Sequence, residues 1–409
     1  MSAKAAPRRP AAMVSGRGWL TRGQPTALAA IVRMVTGPAP HAVLLVGPAS
    51  VGKTTLALDL AAGLLCVAAD PAARPCRACR SCRMIAGGNH PDLHRLAPEG
   101  PGGQVLIGGP RDAAGPRGIR DLLRELTFLP IEGGARVAIV EGAAQMNEDA
   151  QNALLKTLEE PPAGVTIVLC VDQEELILPT VRSRCARVRL GPLGSSDIAT
   201  ILGELELADP AVAARLARIA EGRPGVALAY ARAPEAMTVR DEIARTLIDL
   251  LGAGRSRRLT AARELLGRAR ELAEALAEPT APRTGSRTVA ARPDDVPETD
   301  GSTPDAEAEP GSANKVAPAE RRRAARQLIA IWRDLARDLA VASVGGRRSV
   351  NDVGLIEDVD RVAAALPAGA AGAFLVRLDR VAELVAGNVG PELAIDVLVL
   401  AWPSTDRAA

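Results

Sequence analysis

The sequence predicts an α/β protein with a parallel sheet in its first half and an all-helical second half. Three short segments of the first half are rich in β-branched residues and are bounded by glycine, proline or polar turns, as is typical of buried parallel strands. They are residues 41–47, 135–142 and 165–171. Helical patterns alternate with them over 53–66, 117–127 and 148–160. This alternation favours a parallel sheet with helices packed against it.

Strand patterns stop after Pro192, and helical patterns take their place. They cover 195–204, 210–221, 224–232, 236–252 and 257–277. Further along, Leu328, Trp332, Leu335 and Leu339 repeat on one helical face, and the spacing recurs from Phe374 to Val385. Such stripes are typical of core packing in an all-helical domain.

One internal segment and the first residues lack the apolar content of a folded core. Residues 279–320 contain no Leu, Ile, Phe, Trp or Tyr, so we expect a disordered linker. Residues 1–18 are basic but have no apolar region of the secretory type, and we expect a disordered leader.

Composition bounds the function classes. With 409 residues, 47% of them apolar, the chain is long enough for two or three domains. The net charge of +2 is no nucleic-acid footprint, and the apolar runs are too short for a membrane span. Six cysteines in such a chain indicate a metal site or free thiols rather than disulfides. We expect a cytoplasmic protein.

Residues Gly47 to Thr54 match the phosphate-binding pattern G-x-x-x-x-G-K-[ST] between a predicted strand and a predicted helix. The glycines let backbone amides converge on phosphate oxygens, Lys53 reaches the outer phosphates, and the Thr54 hydroxyl can ligate Mg²⁺. The positive end of the following helix faces the same anion. A glycine-rich turn without ligand, or a degenerate loop that no longer holds nucleotide, remains an alternative.

Four cysteines lie close together in the sequence, and two C-x-x-C steps share Cys79. They are Cys66, Cys76, Cys79 and Cys82. This spacing lets four thiolates converge on one tetrahedral ion, so zinc is the first expectation. An iron–sulfur cluster or unligated thiols are the alternatives, and His90 or His94 could replace one cysteine. Cys170 and Cys185 are predicted to pack in the core.

Together these features resemble the bacterial clamp-loader ATPases of the AAA+ class, with the resemblance running from about Arg22 to Val188. The motifs that carry it are HAVLLVGPASVGKTTLA, the cysteine module, NHPDLH, MNEDAQNALLKTLEEPP and LPTVRSRC. The resemblance implies an ATPase domain over 19–191 with an inserted zinc module at 66–90. It also implies a helical lid domain over 192–235 and a helical collar domain over 236–405, interrupted by the linker.

Departures from the pattern of the motor subunits indicate which subunit the chain resembles. Motor subunits end the acidic strand with an Asp-Glu pair, where this chain has Glu141 and Gly142. The lid arginine of the motor pattern aligns with Gly225, and Arg223 lies two positions early. Ser183-Arg184-Cys185 is intact, and in this family that arginine reaches the neighbour's nucleotide.

A retained finger with an incomplete catalytic centre resembles the delta-prime type of subunit. The resemblance implies ATP, Mg²⁺ and Zn²⁺ as cofactors, and no hydrolysis by the isolated chain, which would be one component of a DNA polymerase holoenzyme. Implied partners are tau/gamma motor subunits and delta in a ring, with the sliding clamp and primed DNA reached through the complex. The implied nucleotide-binding residues are Gly47, Val51, Gly52, Lys53, Thr54, Thr55 and Glu141. Alternatives are a hydrolysing tau/gamma-type subunit and a stand-alone P-loop enzyme, and for Arg184 an internal salt bridge.

Overall fold

A five-stranded sheet, parallel throughout, organises the first half of the chain. The computed structural model describes residues 18–98, 103–109, 117–132, 134–277, 317–386 and 389–405. The strands are β1 (Ala42–Val46), β2 (Leu93–Leu96), β3 (Arg136–Val140), β4 (Val165–Val171) and β5 (Ala186–Arg189). Their order across the sheet is β2-β3-β4-β1-β5, and all neighbours run parallel. The carboxyl ends of β1, β3 and β4 therefore meet at one edge of the sheet.

The three strands expected from the sequence are confirmed as β1, β3 and β4, and they are buried almost throughout. The two outer strands were not predicted. β2 reads LHRL and β5 reads ARVR, and both are half-exposed sheet edges. Their arginine side chains are largely exposed, and polar residues interrupt both strands, so neither strand has the continuous apolar run of a central parallel strand.

Helices pack on both faces of the sheet. They are α1 (Pro25–Thr36), α2 (Lys53–Leu64), α3 (Arg80–Ala86), α4 (Ile119–Leu126), α5 (Glu148–Glu159) and α6 (Pro179–Arg182). Helices α1 and α2 share a core with one face of the sheet, and α4 and α5 share a core with the other. As predicted, Asn147 caps α5 by accepting the amide of Ala150 at 2.9 Å.

The part after Pro192 is helical in the described residues. Its helices are α7 (Ser195–Glu204), α8 (Pro210–Ile219), α9 (Pro224–Arg232), α10 (Pro234–Asp249), α11 (Arg255–Ala275), α12 (Pro318–Ser343), α13 (Ile356–Ala363), α14 (Ala370–Ala386) and α15 (Pro391–Ala401). One continuous apolar cluster runs from Leu193 to Trp402. The division into lid and collar stays a prediction.

The predicted apolar stripes lie inside this cluster. The rings of Trp332, Phe374 and Trp402 contact one another with centroids 4.6 to 5.5 Å apart. Helix α12 begins at Pro318, so the last three residues of the predicted linker are helical. The rest of that linker up to residue 316, and the predicted leader up to residue 17, lie outside the described residues.

A buried group of charges ties the helices after the sheet to one another. The guanidinium of Arg240, on α10, lies 2.5 Å from a carboxylate oxygen of Asp352 and 3.5 Å from one of Asp334, on α12. Arg215, on α8, also reaches Asp352, at 3.2 Å. Four segments, namely α8, α10, α12 and the stretch before α13, thus share one group of ionic contacts.

Candidate functional site

The phosphate-binding loop connects β1 to α2, as the sequence predicts. The amide of Gly47 donates to the carbonyl of Val171 at 3.1 Å, so the loop starts beside the carboxyl end of β4. Ser50 and Gly52 have φ values of +60° and +105°, and Gly52 supplies the tight turn into α2 at little cost. The loop therefore stands at the sheet edge with the helix N-terminus behind it.

The Lys53 side chain is buried and fully engaged by the protein. Its ammonium donates to the carbonyls of Gly47 at 2.8 Å and Pro48 at 2.6 Å. It also lies 2.6 Å from a carboxylate oxygen of Asp172, the residue that follows β4. The sequence analysis did not single out Asp172, because only the strand order brings it to this loop.

The structure brings Glu141 to the same edge, one residue beyond β3. A carboxylate oxygen of Glu141 lies 3.4 Å from the Thr54 hydroxyl, and the Glu141 carboxylate pairs with Arg95 at 2.7 Å. A hydroxyl and a carboxylate oxygen are ligands that suit Mg²⁺. Thr54 and Glu141 are thus placed where a nucleotide-bound magnesium ion would need them. No carboxylate follows Glu141, because the next residue is glycine.

Gly142 occupies a backbone conformation that side chains rarely adopt. Its φ and ψ are +58° and +38°, and a Cβ there would lie 2.7 Å from Cγ of Pro98. Both the left-handed backbone and the neighbouring ring therefore disfavour a glutamate at this position. The local geometry therefore disfavours a carboxylate at position 142, where the sequence has none.

Gly225 touches the phosphate-binding loop directly. It lies in the first turn of α9, and its amide donates to the carbonyl of Ser50 at 2.9 Å. A Cβ at Gly225 would lie 2.9 Å from that carbonyl oxygen, which leaves no room for an arginine side chain. The Nε of Arg223, two positions earlier, donates to the Ala220 carbonyl at 3.0 Å.

A cavity of about 230 Å³ lies between this loop and the following helices. Its lining includes Thr21, Val51, Gly52, Thr55, Gly225 and Leu228. The cavity adjoins the phosphate-binding loop and has mixed polar and apolar walls, as a nucleoside requires. Val51 and Thr55, both predicted as nucleotide-binding, thus line a space beside the phosphate site.

The four predicted cysteines come together. Their sulfur atoms all lie within 4.8 Å of one another, and the Sγ atoms of Cys66 and Cys79 are 4.0 Å apart. A tetrahedral zinc ion with Zn–S bonds of about 2.3 Å requires sulfurs roughly 3.8 Å apart. All four are free thiols. The cluster therefore fits one zinc ion, and the structure brings together a complete set of four donors.

Backbone amides and burial shift the pKa values of these thiols in different directions. The amides of Ala78 and Cys79 lower the pKa of Cys76 to about 6, whereas burial raises the pKa of Cys82 to about 12. The amides of Cys76, Cys79 and Cys82 each point at the sulfur of a preceding cysteine at 3.3 to 3.4 Å. Such N–H···S contacts stabilise thiolates.

Neither His90 nor His94 replaces a cysteine as a ligand, because both rings have other partners. The His90 ring bridges the Ser81 hydroxyl at 2.8 Å and the Asp92 amide at 3.1 Å. His94 pairs with Glu125, its Nδ1 lying 2.7 Å from the carboxylate. As predicted, Cys170 is buried in β4, and Cys185 packs against the core that α4 and α5 share with the sheet.

Asp59, on α2, links the cysteine cluster to a residue that lines the cavity beside the phosphate-binding loop. Its buried carboxylate accepts the amide of Thr21 at 2.8 Å and the hydroxyl of the same residue at 2.7 Å. Arg77, which follows Cys76, pairs with the same carboxylate. The sequence analysis missed this residue, because a lone aspartate on an apolar helix carries no motif.

Arg184 follows α6 on an exposed surface. Its guanidinium donates to the Thr180 carbonyl at 2.8 Å and lies 2.6 Å from a carboxylate oxygen of Glu159, at the end of α5. The internal salt bridge considered from the sequence therefore exists. Both side chains remain partly exposed, so the pair leaves Arg184 accessible from outside.

A parallel sheet with a phosphate-binding loop after β1 and an acidic residue after β3 defines a P-loop protein of the ATPase-like α/β class. Residues 23–194 match the family described as DNA polymerase III, delta subunit. The chain is 37% identical over 147 residues to the DNA polymerase III subunit delta' of Pseudomonas aeruginosa, covering 36% of this chain and 42% of that protein. The resemblance predicted from the motifs is confirmed as a similarity: residues 23–194 match this family, and the relatives named delta' are similar to the same part of the chain.

Two further relatives agree. The subunit delta' of Escherichia coli is 34% identical over 194 residues, 47% of this chain and 55% of that protein. The subunit tau of Escherichia coli is 32% identical over 209 residues, 49% of this chain and 30% of that protein. The chain spans about half the length of the delta-prime relatives it matches. In the described residues, no helix is long and apolar enough to cross a membrane.

Proposed function

We propose that the chain is a delta-prime-type subunit of the DNA polymerase III clamp loader. In this proposal it binds ATP with Mg²⁺ without hydrolysing it efficiently, and it supplies Arg184 to the nucleotide site of a neighbouring subunit. Its partners are tau/gamma motor subunits and delta, and the complex places the sliding clamp on primed DNA. The complex acts in the cytoplasm, and this chain does not itself catalyse nucleotide polymerisation.

The observation that carries the proposal is the contrast between the two sides of the molecule. At the phosphate-binding loop, Gly142 and Gly225 replace a catalytic base and a phosphate-contacting arginine, and the backbone around both glycines disfavours larger residues. At the opposite edge of the sheet, two residues before β5, Arg184 is present and partly exposed. An incomplete site of its own with a retained finger suits a subunit that assists another's reaction.

The nucleotide would be held by Gly47, Val51, Gly52, Lys53, Thr54 and Thr55. Mg²⁺ would be held by Thr54 and Glu141. Bound Mg²⁺ would neutralise phosphate charge. Zinc, held by Cys66, Cys76, Cys79 and Cys82, would be structural, because four protein ligands leave no open position. The helices after residue 192 would form the lid and the collar that joins the ring.

A reconstituted loader tests the proposal. Purified motor subunits and delta are mixed with sliding clamp and primed DNA, with and without this chain, and clamp loading is measured. We expect loading only when the chain is present. Loading that proceeds equally well without it would contradict the proposal.

The alternative is a hydrolysing subunit of the tau/gamma type, which the 32% identity to the Escherichia coli tau subunit keeps open. ATP turnover by the isolated chain separates the two. Turnover above background that is lost in Lys53→Ala would favour the tau/gamma type.

A further inference from the structure

The P-loop lysine has an anionic partner inside the protein. An ammonium group has three N–H donors. In this structure, Lys53 directs them to the carbonyls of Gly47 and Pro48 and to the carboxylate of Asp172, all within 2.8 Å. The hydrogen-bonding capacity of Lys53 is therefore used without any phosphate.

The position of Asp172 follows from the strand order. Val171 pairs with Val46 in the parallel register of β4 and β1, and its carbonyl accepts the amide of Gly47. Asp172 is the next residue, so its carboxylate stands beside the start of the phosphate-binding loop. The side chain is 45% exposed, and one carboxylate oxygen lies 2.6 Å from the Lys53 ammonium.

The other carboxylate at this edge behaves differently. Glu141 is paired with Arg95 at 2.7 Å, so its charge is balanced by a residue outside the loop. Asp172 instead pairs with Lys53, which is the one cation of the phosphate-binding loop. A phosphate entering this site must separate Lys53 from Asp172 and then lie close to a like charge.

We propose that Asp172 acts as an internal competitor for Lys53 and sets the nucleotide preference of this site against triphosphates. The lysine of such a loop reaches the outer phosphates, so the carboxylate opposes the charge added by the third phosphate more than that of the first two. Asp172 is thus a specificity-determining residue, and the site favours nucleoside diphosphate over triphosphate. This inference rests on the nucleotide-binding part of the proposed function.

Equilibrium binding of Mg-ATP and Mg-ADP to the full chain tests it, with wild type compared to Asp172→Asn. Asparagine keeps the shape of the side chain and removes its charge. We expect ATP affinity to rise about tenfold and ADP affinity to rise about threefold, so that the ATP/ADP affinity ratio increases. Asp172→Ser serves as a second uncharged variant, and thermal unfolding checks that both variants are folded.

Two controls separate a specific contact from a general loss of negative charge. Glu175→Gln removes an exposed charge three residues away and should leave both affinities unchanged. In a Lys53→Ala background, Asp172→Asn should give no gain, because the competition needs the lysine.

The outcomes are distinct. An unchanged or reduced ATP affinity in both Asp172 variants, while wild type binds nucleotide, overturns this inference and leaves the proposed clamp-loader function standing. An equal gain for ATP and ADP overturns the preference against triphosphates. If no variant binds nucleotide, the inference is overturned together with the nucleotide-binding part of the proposed function, while clamp loading still reports on the ring role.

Discussion

The guanidinium of Arg184 lies 2.6 Å from a carboxylate oxygen of Glu159, which closes the helix of the NALLKTLEE motif. Exposed ion pairs of this kind contribute about 0.2–1 kcal/mol. Such a pair orients the arginine in the isolated subunit but is weak enough to be exchanged for the phosphates of a neighbour. The salt bridge and the role in trans are therefore compatible.

Arg184→Ala should leave the chain folded and incorporated in the reconstituted ring. The loader should lose clamp- and DNA-stimulated ATPase activity at the neighbouring motor site, because such arginines contribute ~10³–10⁵ in rate. Arg184→Lys should not fully restore activity, since lysine lacks the planar donor fork. Glu159→Gln is the matched control, and it should retain activity. Wild-type activity with Arg184→Ala, or an equal loss with Glu159→Gln, would refute the role in trans.

Nucleotide binding and turnover are expected to separate in the isolated chain. Lys53→Ala should strongly weaken Mg-ATP binding, because the loop loses its one cation. Turnover by the wild-type chain should stay near background, since general-base catalysis contributes roughly 10²–10⁴-fold and Gly142 provides none. Calorimetric titration and a steady-state phosphate-release assay measure the two quantities. Efficient hydrolysis that depends on Lys53 would be incompatible with this expectation.

Restoring a carboxylate at position 142 should not restore hydrolysis. Gly142→Glu places a side chain on a left-handed backbone against Pro98, and we expect a loss of roughly 1–2 kcal/mol in unfolding free energy. Gly142→Ala carries the same backbone cost without the carboxylate and serves as the control. Chemical denaturation measures the cost, and phosphate release measures activity. A folded Gly142→Glu variant with clear turnover would show that the missing base alone limits the site.

One zinc ion per chain is expected in protein purified without chelator. Cys79→Ser should reduce the zinc content and raise hydrogen exchange in residues 66–90 while the sheet stays folded, because only the cluster loses a ligand. Cys185→Ser is the control, since its thiol lies outside the cluster and bonds the Val181 carbonyl. Metal analysis and hydrogen exchange give the two readouts. A zinc content near zero in wild type, with all thiols titratable, would exclude the metal site.

Asp352 should stabilise the helical part through Arg240. Burial alone would raise the pKa of Asp352, but the charges of Arg240 and Arg215 and their hydrogen bonds outweigh it and lower that pKa. Asp352→Asn should cost about 3 kcal/mol at pH 7, because the buried Arg240 loses its nearest counter-charge. Asp379→Asn, in an exposed pair with Arg333, should cost about 1 kcal/mol or less.

The pH dependence has a definite sign. A carboxyl whose folded pKa is lowered stabilises the fold above its unfolded pKa of about 3.9, and this contribution disappears as pH falls through the folded value. The stability difference between wild type and Asp352→Asn should therefore be full at pH 7 and shrink below about pH 4. Denaturation at several pH values checks this. A difference that does not change with pH would show that the loss is steric.

Features that lie within short stretches of chain could be predicted from the amino-acid sequence. The phosphate-binding loop, the four cysteines and the capped helix after Asn147 each depend on residues a few positions apart, so local spacing and backbone preference suffice to predict them. The central strands were equally predictable, because a strand buried on both faces requires a continuous apolar run. The edge strands β2 and β5 were not, because their charged side chains break that pattern.

Contacts between residues that are distant in the sequence became visible only in the folded chain. Asp172 reaches Lys53 because β4 lies next to β1, and Asp59, which belongs to no motif, joins Thr21 to Arg77. The exclusion of a side chain at Gly225 depends on how α9 packs against Ser50. No local pattern encodes these contacts, since each arises from the parallel strand order and from the way the helices pack around the sheet.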